Sequence, residues 1–295
     1  MADAIVTEGL TKAYGAKVAL APLDLRVAEG SVYGFLGPNG AGKTTTIRLL
    51  LGFMRADRGR AEIFGVDCWR AGPQAKYEVG YVPGDLRLHS WMNSVDALAV
   101  FGRARGRDMR EPGLGLAERW ELDPRVRVRN MSRGMRQKLG LILALAAEPR
   151  LLVLDEPTTG LDPITQDRLT TELLQRAARG ATVFFSSHVL SEVEDLCERV
   201  AILRQGHLVA EEGLEALRRR AGRAVMILWA GQPPDACPPF LAELDARGAE
   251  WRASLRGPVG ALLEWLRGRD VADLEIGRPD LDRVFRSYYR EDGAP

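Results

Sequence analysis

Long hydrophobic runs and cysteine are scarce in this 295-residue chain, and each scarcity removes a class of protein. The strongest apolar stretch, residues 139–147, falls well short of the roughly 20 residues needed to cross a bilayer, so any membrane work is expected to be done through another chain. Residues 1–6 lack the basic start and long apolar core of a signal peptide. Cys68, Cys197 and Cys237 are an odd, scattered set without Cys-x-x-Cys spacing, which argues against a disulfide framework or a zinc site and for a reducing compartment. Net charge is nearly absent too: 41 Lys and Arg against 40 Asp and Glu leave +1, no global field to gather nucleic acid. Internal repeats and low-complexity segments are missing. What is present is apolar content, 46% of residues, enough to bury a core for one large domain and a small one.

Residues 5–27 alternate apolar and polar positions, with breaks at Tyr14-Gly15 and Pro22, and read as short antiparallel strands. Residues 31–36 read as a buried strand, 37–42 as a glycine-rich turn and 43–51 as a helix. From about residue 86 to 150 the chain becomes Arg-, Leu- and Ala-rich, interrupted by Pro112-Gly113 and Pro124, as expected of an inserted helical lobe. Residues 151–154 and 182–186 return to buried-strand composition with helices between and after them, the alternation of a parallel α/β sheet. The first domain is therefore placed at 1–212. Residues 213–295 read as a small α/β appendage: a helix ending at Arg218-Arg219-Arg220, strands at 224–229, 250–255 and 271–276, helices near Leu241 and at 259–266, and a last element at 281–289.

Gly37-Pro38-Asn39-Gly40-Ala41-Gly42-Lys43-Thr44 satisfies Gly-x-x-x-x-Gly-Lys-Thr between a strand and a helix, the context that gives the pattern meaning. Glycines let successive backbone N–H groups turn inward around phosphate oxygens, and the following helix adds the positive end of its dipole. Lys43 then reaches the β- and γ-phosphates, Thr44 offers its hydroxyl to Mg²⁺, and Thr45 supports the α-phosphate. The fold implied is a P-loop NTPase sheet with an antiparallel edge subdomain, an inserted helical lobe and the C-terminal appendage.

Leu151-Leu152-Val153-Leu154-Asp155-Glu156 is a hydrophobic strand that ends in two carboxylates, and in a parallel sheet that end faces the same crevice as the phosphate loop. Side chains alternate along a strand, so Asp155 is placed to accept from a Mg²⁺-bound water while Glu156 reaches the attacking water as general base. Ser186-Ser187-His188 ends the next buried strand, which puts His188 where it can hydrogen-bond the γ-phosphate.

Taken with Met131-Ser132-Arg133-Gly134-Met135, these residues resemble the ATP-binding cassette family over about residues 5–209. The resemblance implies that Ser132 and Gly134 of one copy close over ATP held by the phosphate loop of another, in a head-to-tail homodimer. Ser132 is expected to cap the helix running through Gln137, Leu139 and Leu143 and to aim its N-terminus at the partner's nucleotide. Tyr14 falls at the family's adenine-stacking position, and Thr159-Gly160-Leu161-Asp162 matches a loop that crosses the dimer interface in relatives. Two departures stand out. Arg133 and Met135 flank Gly134 where the family has Gly and Gln, so Arg133 either adds charge near the phosphate or faces solvent. Gly84, after Tyr81-Val82-Pro83, stands where a Gln normally links metal, water and membrane partner. Either Asp85 or an ordered water replaces it in the metal shell, or Gly84 is a permissive turn glycine with Asp85 in solvent.

The resemblance implies a Mg²⁺-dependent ATPase, cytoplasmic and peripheral on the inner face of the cell membrane, that drives separate transmembrane permease subunits. The short extension containing Leu281-Asp282-Arg283-Val284-Phe285 resembles exporters of drug-like, antibiotic or lipid-related compounds. The competing classes are a soluble cassette ATPase acting on nucleic acid and a GTPase. The first usually carries fused cassettes or long heptad insertions, and the second an Asn-Lys-x-Asp reader; none of these is visible.

Overall fold

A computed structural model describes residues 2–279 together with Leu281, Val284, Phe285 and Tyr288, and the chain divides into two units, Met1–Glu211 and Glu212–Pro295. In the first unit, strands β1 (Asp3–Tyr14) and β2 (Lys17–Ala28) form a long antiparallel hairpin in place of the several short strands expected. Pro22 does not break β2. It lies between the Leu10–Leu23 and Lys12–Leu20 pairings, where the register shifts, on the edge strand of its sheet, so its missing N–H interrupts no regular ladder.

Strand β3 (Val32–Leu36) is buried along its whole length and leads through the glycine loop into helix α1 (Lys43–Leu50). Strands β4 (Arg58–Ile63) and β5 (Val66–Asp67) return to the antiparallel sheet, whose order is β2-β1-β4-β5. A short helix, α2 (Gly72–Ala75), precedes β6 (Val79–Val82). The lobe that follows consists of α3 (Ser94–Arg105), α4 (Arg110–Arg119) and α5 (Arg133–Leu145). Asn93 and Asp96 make a reciprocal capping box at the start of α3, satisfying two otherwise orphaned N–H groups. Pro112 and Gly113 do not interrupt the lobe. They fall in the first turn of α4, where a proline has no helical acceptor to lose.

The rest of the unit is β7 (Leu151–Asp155), α6 (Pro163–Ala178), β8 (Thr182–Ser187), α7 (Leu190–Leu196), β9 (Arg199–Arg204) and β10 (His207–Gly213), the last carrying the chain past Glu211. The central sheet runs β10-β9-β3-β8-β7-β6, with β9, β3, β8, β7 and β6 paired in parallel. Every residue of β3, β7 and β8 is buried, the continuous pattern of strands covered on both faces rather than the alternation of a half-exposed sheet. Ile5, Leu20, Val27, Phe35, Leu50, Val153 and Phe184 belong to one core that joins the antiparallel sheet, α1 and the parallel sheet.

In the second unit, helix α8 (Leu214–Ala221) ends in Arg218, Arg219 and Arg220. Strands β11 (Arg223–Trp229), β12 (Leu241–Arg247), β13 (Glu250–Leu255) and β14 (Val271–Pro279) form an antiparallel sheet of order β12-β13-β11-β14, with α9 (Val259–Leu266) between β13 and β14. The helix expected near Leu241 is strand β12. Between Ala242 and Asp245 this strand carries one residue more than β13 opposite it, with Glu243 at φ +57°. Such a bulge places Leu241 and Leu244 on the same apolar core at a spacing of three, which in sequence mimics a helix. Of the element expected at 281–289, only Leu281, Val284, Phe285 and Tyr288 belong to the described residues, and Asp282 and Arg283 of the extension lie outside them.

Candidate active site

Parallel pairing brings the carboxyl ends of three strands to one edge: Leu36 lies beside Ser187, and Asp155 beside Ser186. The loop after β3, the acids after β7 and the histidine after β8 therefore converge although they are far apart in sequence. The Gly37 N–H donates to the Ser187 carbonyl at 3.2 Å, and the Ala41 N–H to the Pro38 carbonyl at 3.1 Å, shaping the loop. Gly42 has φ +109°, and a β-carbon there would stand 2.7 Å from the Ala19 carbonyl oxygen, so both conformation and space demand glycine. No side chain caps α1, which leaves its first-turn N–H groups available to an anion.

Lys43 is 5% exposed, and its ammonium donates to the Gly37 carbonyl at 2.6 Å and the Pro38 carbonyl at 3.3 Å while pairing with Glu156 Oε1 at 3.2 Å. Glu156 in turn meets His188 Nδ1 through Oε2 at 3.3 Å. One carboxylate thus links the phosphate-loop lysine to the histidine. A phosphate entering the loop would compete with Glu156 for Lys43 and release the carboxylate. Glu156 itself sits at φ +48°, an unusual backbone conformation for a residue with a β-carbon, and this turns the chain sharply at the strand's exit.

Asp155 is 2% exposed. The Thr44 hydroxyl donates to its Oδ2 at 2.9 Å and the Ser186 hydroxyl to its Oδ1 at 2.7 Å, and no ion pair reaches it among the described residues. A buried carboxylate satisfied by hydroxyls and lacking a cation is costly unless a cation is supplied, so the donor set fits a hard divalent metal. No cluster of three or more His, Cys, Asp or Glu occurs among the described residues. Burial, and then the nearby Asp155 charge, pushes the Tyr81 phenol up to about 12, so it stays protonated beside the site.

Two cavities open onto this edge. One of about 500 Å³ is bounded by Thr44, Arg48, Gly84, Asp85, Asp155 and Glu156; another of about 240 Å³ brings Tyr14 and Lys17 to Asn39, Gly40, Gly42, Lys43, Thr44 and Thr45. Tyr14 is half exposed. A larger cavity of about 900 Å³ beside Asp24, Tyr33 and Glu211 contains none of these residues, so chemistry locates the site and size does not. A β-carbon at Gly84 would lie 3.4 Å from the Asp155 carbonyl oxygen, ordinary contact, so space alone does not demand glycine there. Asp85, one alternative for the metal shell, borders the cavity, but its Oδ2 accepts from Arg87 Nε at 3.1 Å and Nη2 at 3.0 Å, and the pair is largely exposed. That geometry matches the solvent-facing alternative.

Ser132 caps α5 as the sequence suggests, its Oγ accepting from the Met135 N–H at 3.1 Å, and it faces solvent beside an equally exposed Arg133. A β-carbon on Gly134 would come within 2.8 Å of the Gly160 carbonyl, so α5 and the loop after β7 lie in close contact. Asp162 caps α6 through the Thr165 N–H at 2.9 Å and the Thr165 hydroxyl at 2.7 Å, which hold its carboxyl below the usual range. No hydrogen bond among the described residues joins Ser132 or Gly134 to the phosphate loop of the same chain. Sequence reasoning passed over two polar residues. Buried Gln137 donates to the Pro157 carbonyl at 2.9 Å, tying α5 to the acidic loop, and Ser186 touches both acids. A serine at the end of the apolar run Thr182-Val183-Phe184-Phe185 was the available signal for the latter.

The ABC transporter family matches residues 20–159. The chain is 36% identical to the daunorubicin resistance ATP-binding protein DrrA3 of Streptomyces coeruleorubidus, over 97% of this chain and 96% of that protein. It is 34% identical to the Nod factor export ATP-binding protein I of Rhizobium sp. (strain N33), over 96% of this chain and 95% of that one. A solved structure described as an ATP binding subunit of an ABC transporter superposes with a TM-score of 0.69 at 28% identity, covering 73% of this chain and 92% of that chain. No helix among the described residues is long and apolar enough to cross a membrane. With a phosphate loop, a strand-end acid pair and relatives that share nearly its whole length, the chain belongs to the ABC transporter family, as an ATP-binding subunit that hydrolyses ATP to power transport.

Proposed function

We propose that this chain is the Mg²⁺-dependent motor of an exporter, working as a head-to-tail homodimer on separate transmembrane permease subunits from the cytoplasmic face of the membrane. The observation that carries the site assignment is the linked set Lys43–Glu156–His188 at the edge where Asp155 and Thr44 also meet. The phosphates lie along residues 37–45, with Lys43 on the β- and γ-phosphates and the adenine on Tyr14. Thr44 and Asp155 would hold Mg²⁺, Asp155 through water, and the ion would supply charge neutralisation for the phosphates. Glu156, released from Lys43 by the incoming phosphate, takes the proton of the attacking water, and His188 donates to the γ-phosphate.

Ser132 and Gly134 of a second copy close over the nucleotide. The exposed, capped N-terminus of α5 supports this, because its first turn carries no acidic residue and an Arg at position 133. Export is supported by the drug-resistance and Nod-factor-export relatives, which match along nearly the full chain.

The test of the site is Glu156→Gln beside the parent. The variant should bind ATP, dimerise stably with it and lose roughly 10²- to 10⁴-fold in turnover, the usual worth of a general base. Turnover that persists without ATP-promoted dimerisation would sink the composite-site reading. For direction, inverted vesicles carrying the permease partners should accumulate cargo on addition of ATP; ATP-driven loss from the lumen contradicts export.

A further inference from the structure

Ser186 lies at the meeting point of the two acids without being one of the residues assigned to nucleotide or metal. It is fully buried on β8, directly across the ladder from Asp155. A hydroxyl has a single proton to give, and at Ser186 it goes to Asp155 Oδ1, 2.7 Å away. The oxygen's lone pairs are then free to accept, and the Glu156 N–H points at them from 3.2 Å while also reaching the Ser186 carbonyl at 3.2 Å. Ser186 therefore grips the carboxylate of one acid and the backbone of the next.

Both grips bear on geometry that chemistry needs. Asp155 has two hydroxyl donors, and the oxygen of the other, Thr44, is the Mg²⁺ ligand of the proposed function; the Ser186 hydroxyl is the donor that, among the described residues, partners the acids alone. Glu156 occupies the left-handed region at φ +48°, and its amide is held there from β8. The adjacent Ser187 cannot stand in, since its hydroxyl turns the other way, to Glu192 and the Val189 carbonyl.

We propose that Ser186 is a positioning residue for ATP hydrolysis: its hydroxyl orients the Asp155 carboxylate toward the metal position and pins the turn that presents Glu156. The inference rests on the assignment of Mg²⁺ to Thr44 and Asp155 made above. Residues that orient metal-side groups typically change metal affinity or activity by 10- to 100-fold when removed.

The experiment compares the full-length parent with Ser186→Ala, Ser186→Cys and Ser186→Thr, each first checked for a cooperative melt. ATP affinity is measured in EDTA and then across a Mg²⁺ titration, and kcat and KM for Mg-ATP are measured separately. Alanine and cysteine should leave ATP affinity in EDTA within about twofold, raise the Mg²⁺ needed for half-maximal tightening by about 10- to 100-fold and lower kcat by a similar factor. Threonine, which keeps the hydroxyl, should recover most of both. Cysteine separates roles: it refills the space but donates only weakly, so recovery by cysteine means a packing role and overturns the proposal. An unchanged Mg²⁺ requirement in the alanine variant, with the parent behaving as described, overturns the Ser186 assignment alone. A parent whose ATP binding ignores Mg²⁺ overturns the metal assignment itself, and this inference with it.

Discussion

Asp155 and Trp229 are each a buried residue at the end of a strand, one in either unit, and their polar atoms fare differently. Asp155 receives a hydroxyl on each oxygen, from Thr44 on the phosphate loop and Ser186 on the neighbouring strand. The Trp229 indole N–H is buried with no hydrogen-bond partner, and its ring is instead packed edge-on against Trp251 at 5.3 Å and Trp265 at 5.9 Å. Leaving such a donor unpaired costs about 1–3 kcal/mol, which edge-to-face aromatic pairs of about 0.5–1.5 kcal/mol each can offset. Residues 1–211 thus use buried polarity to hold a charge ready for a ligand. The described residues of 212–279 fill their interior with aromatic contact and collect no acid, base and phosphate-loop set. The second unit behaves as a packed module and the first as a site.

That contrast can be broken by mutation. Trp251→Ala removes the ring that packs on both Trp229 and Trp265. It should cost about 3–5 kcal/mol in the C-terminal unit, read as a lowered melting transition, while ATP turnover of the purified chain stays within about twofold. A matching collapse of turnover would show that the site depends on this unit's packing. Tyr14→Ala, in the first unit, should do the reverse. Loss of a stacking platform worth about 1–3 kcal/mol should weaken ATP affinity by roughly 5- to 150-fold in equilibrium binding and leave the melting transition almost unmoved, because the side chain is half exposed. Asp85→Ala should do least. Its carboxylate is engaged by Arg87 in solvent, a pairing of about 0–1 kcal/mol, so the Mg²⁺ dependence of ATP turnover should be unchanged. A large rise in Mg²⁺ requirement would return Asp85 to the metal shell.

Sequence alone determined the features that live within a few residues of one another. The phosphate loop, the strand that runs into Asp155 and Glu156, and the serine cap before α5 each depend on local backbone chemistry: glycine where φ must be positive, unbroken apolar residues where a strand is covered on both faces, a short hydroxyl where helix N–H groups need an acceptor. Even the errors were local. An extra residue in β12 imitated helical spacing, and Pro22 and Pro112 were read as breaks because neither a bulge nor a first helical turn announces itself. Only the tertiary structure decided which distant groups touch. Thr44 reaches Asp155 across 111 residues, Lys43 and His188 share Glu156, and Ser186 joins both acids, all because β3, β8 and β7 lie side by side in parallel. Strand order is set by the packing of whole elements, and no short window of sequence encodes it.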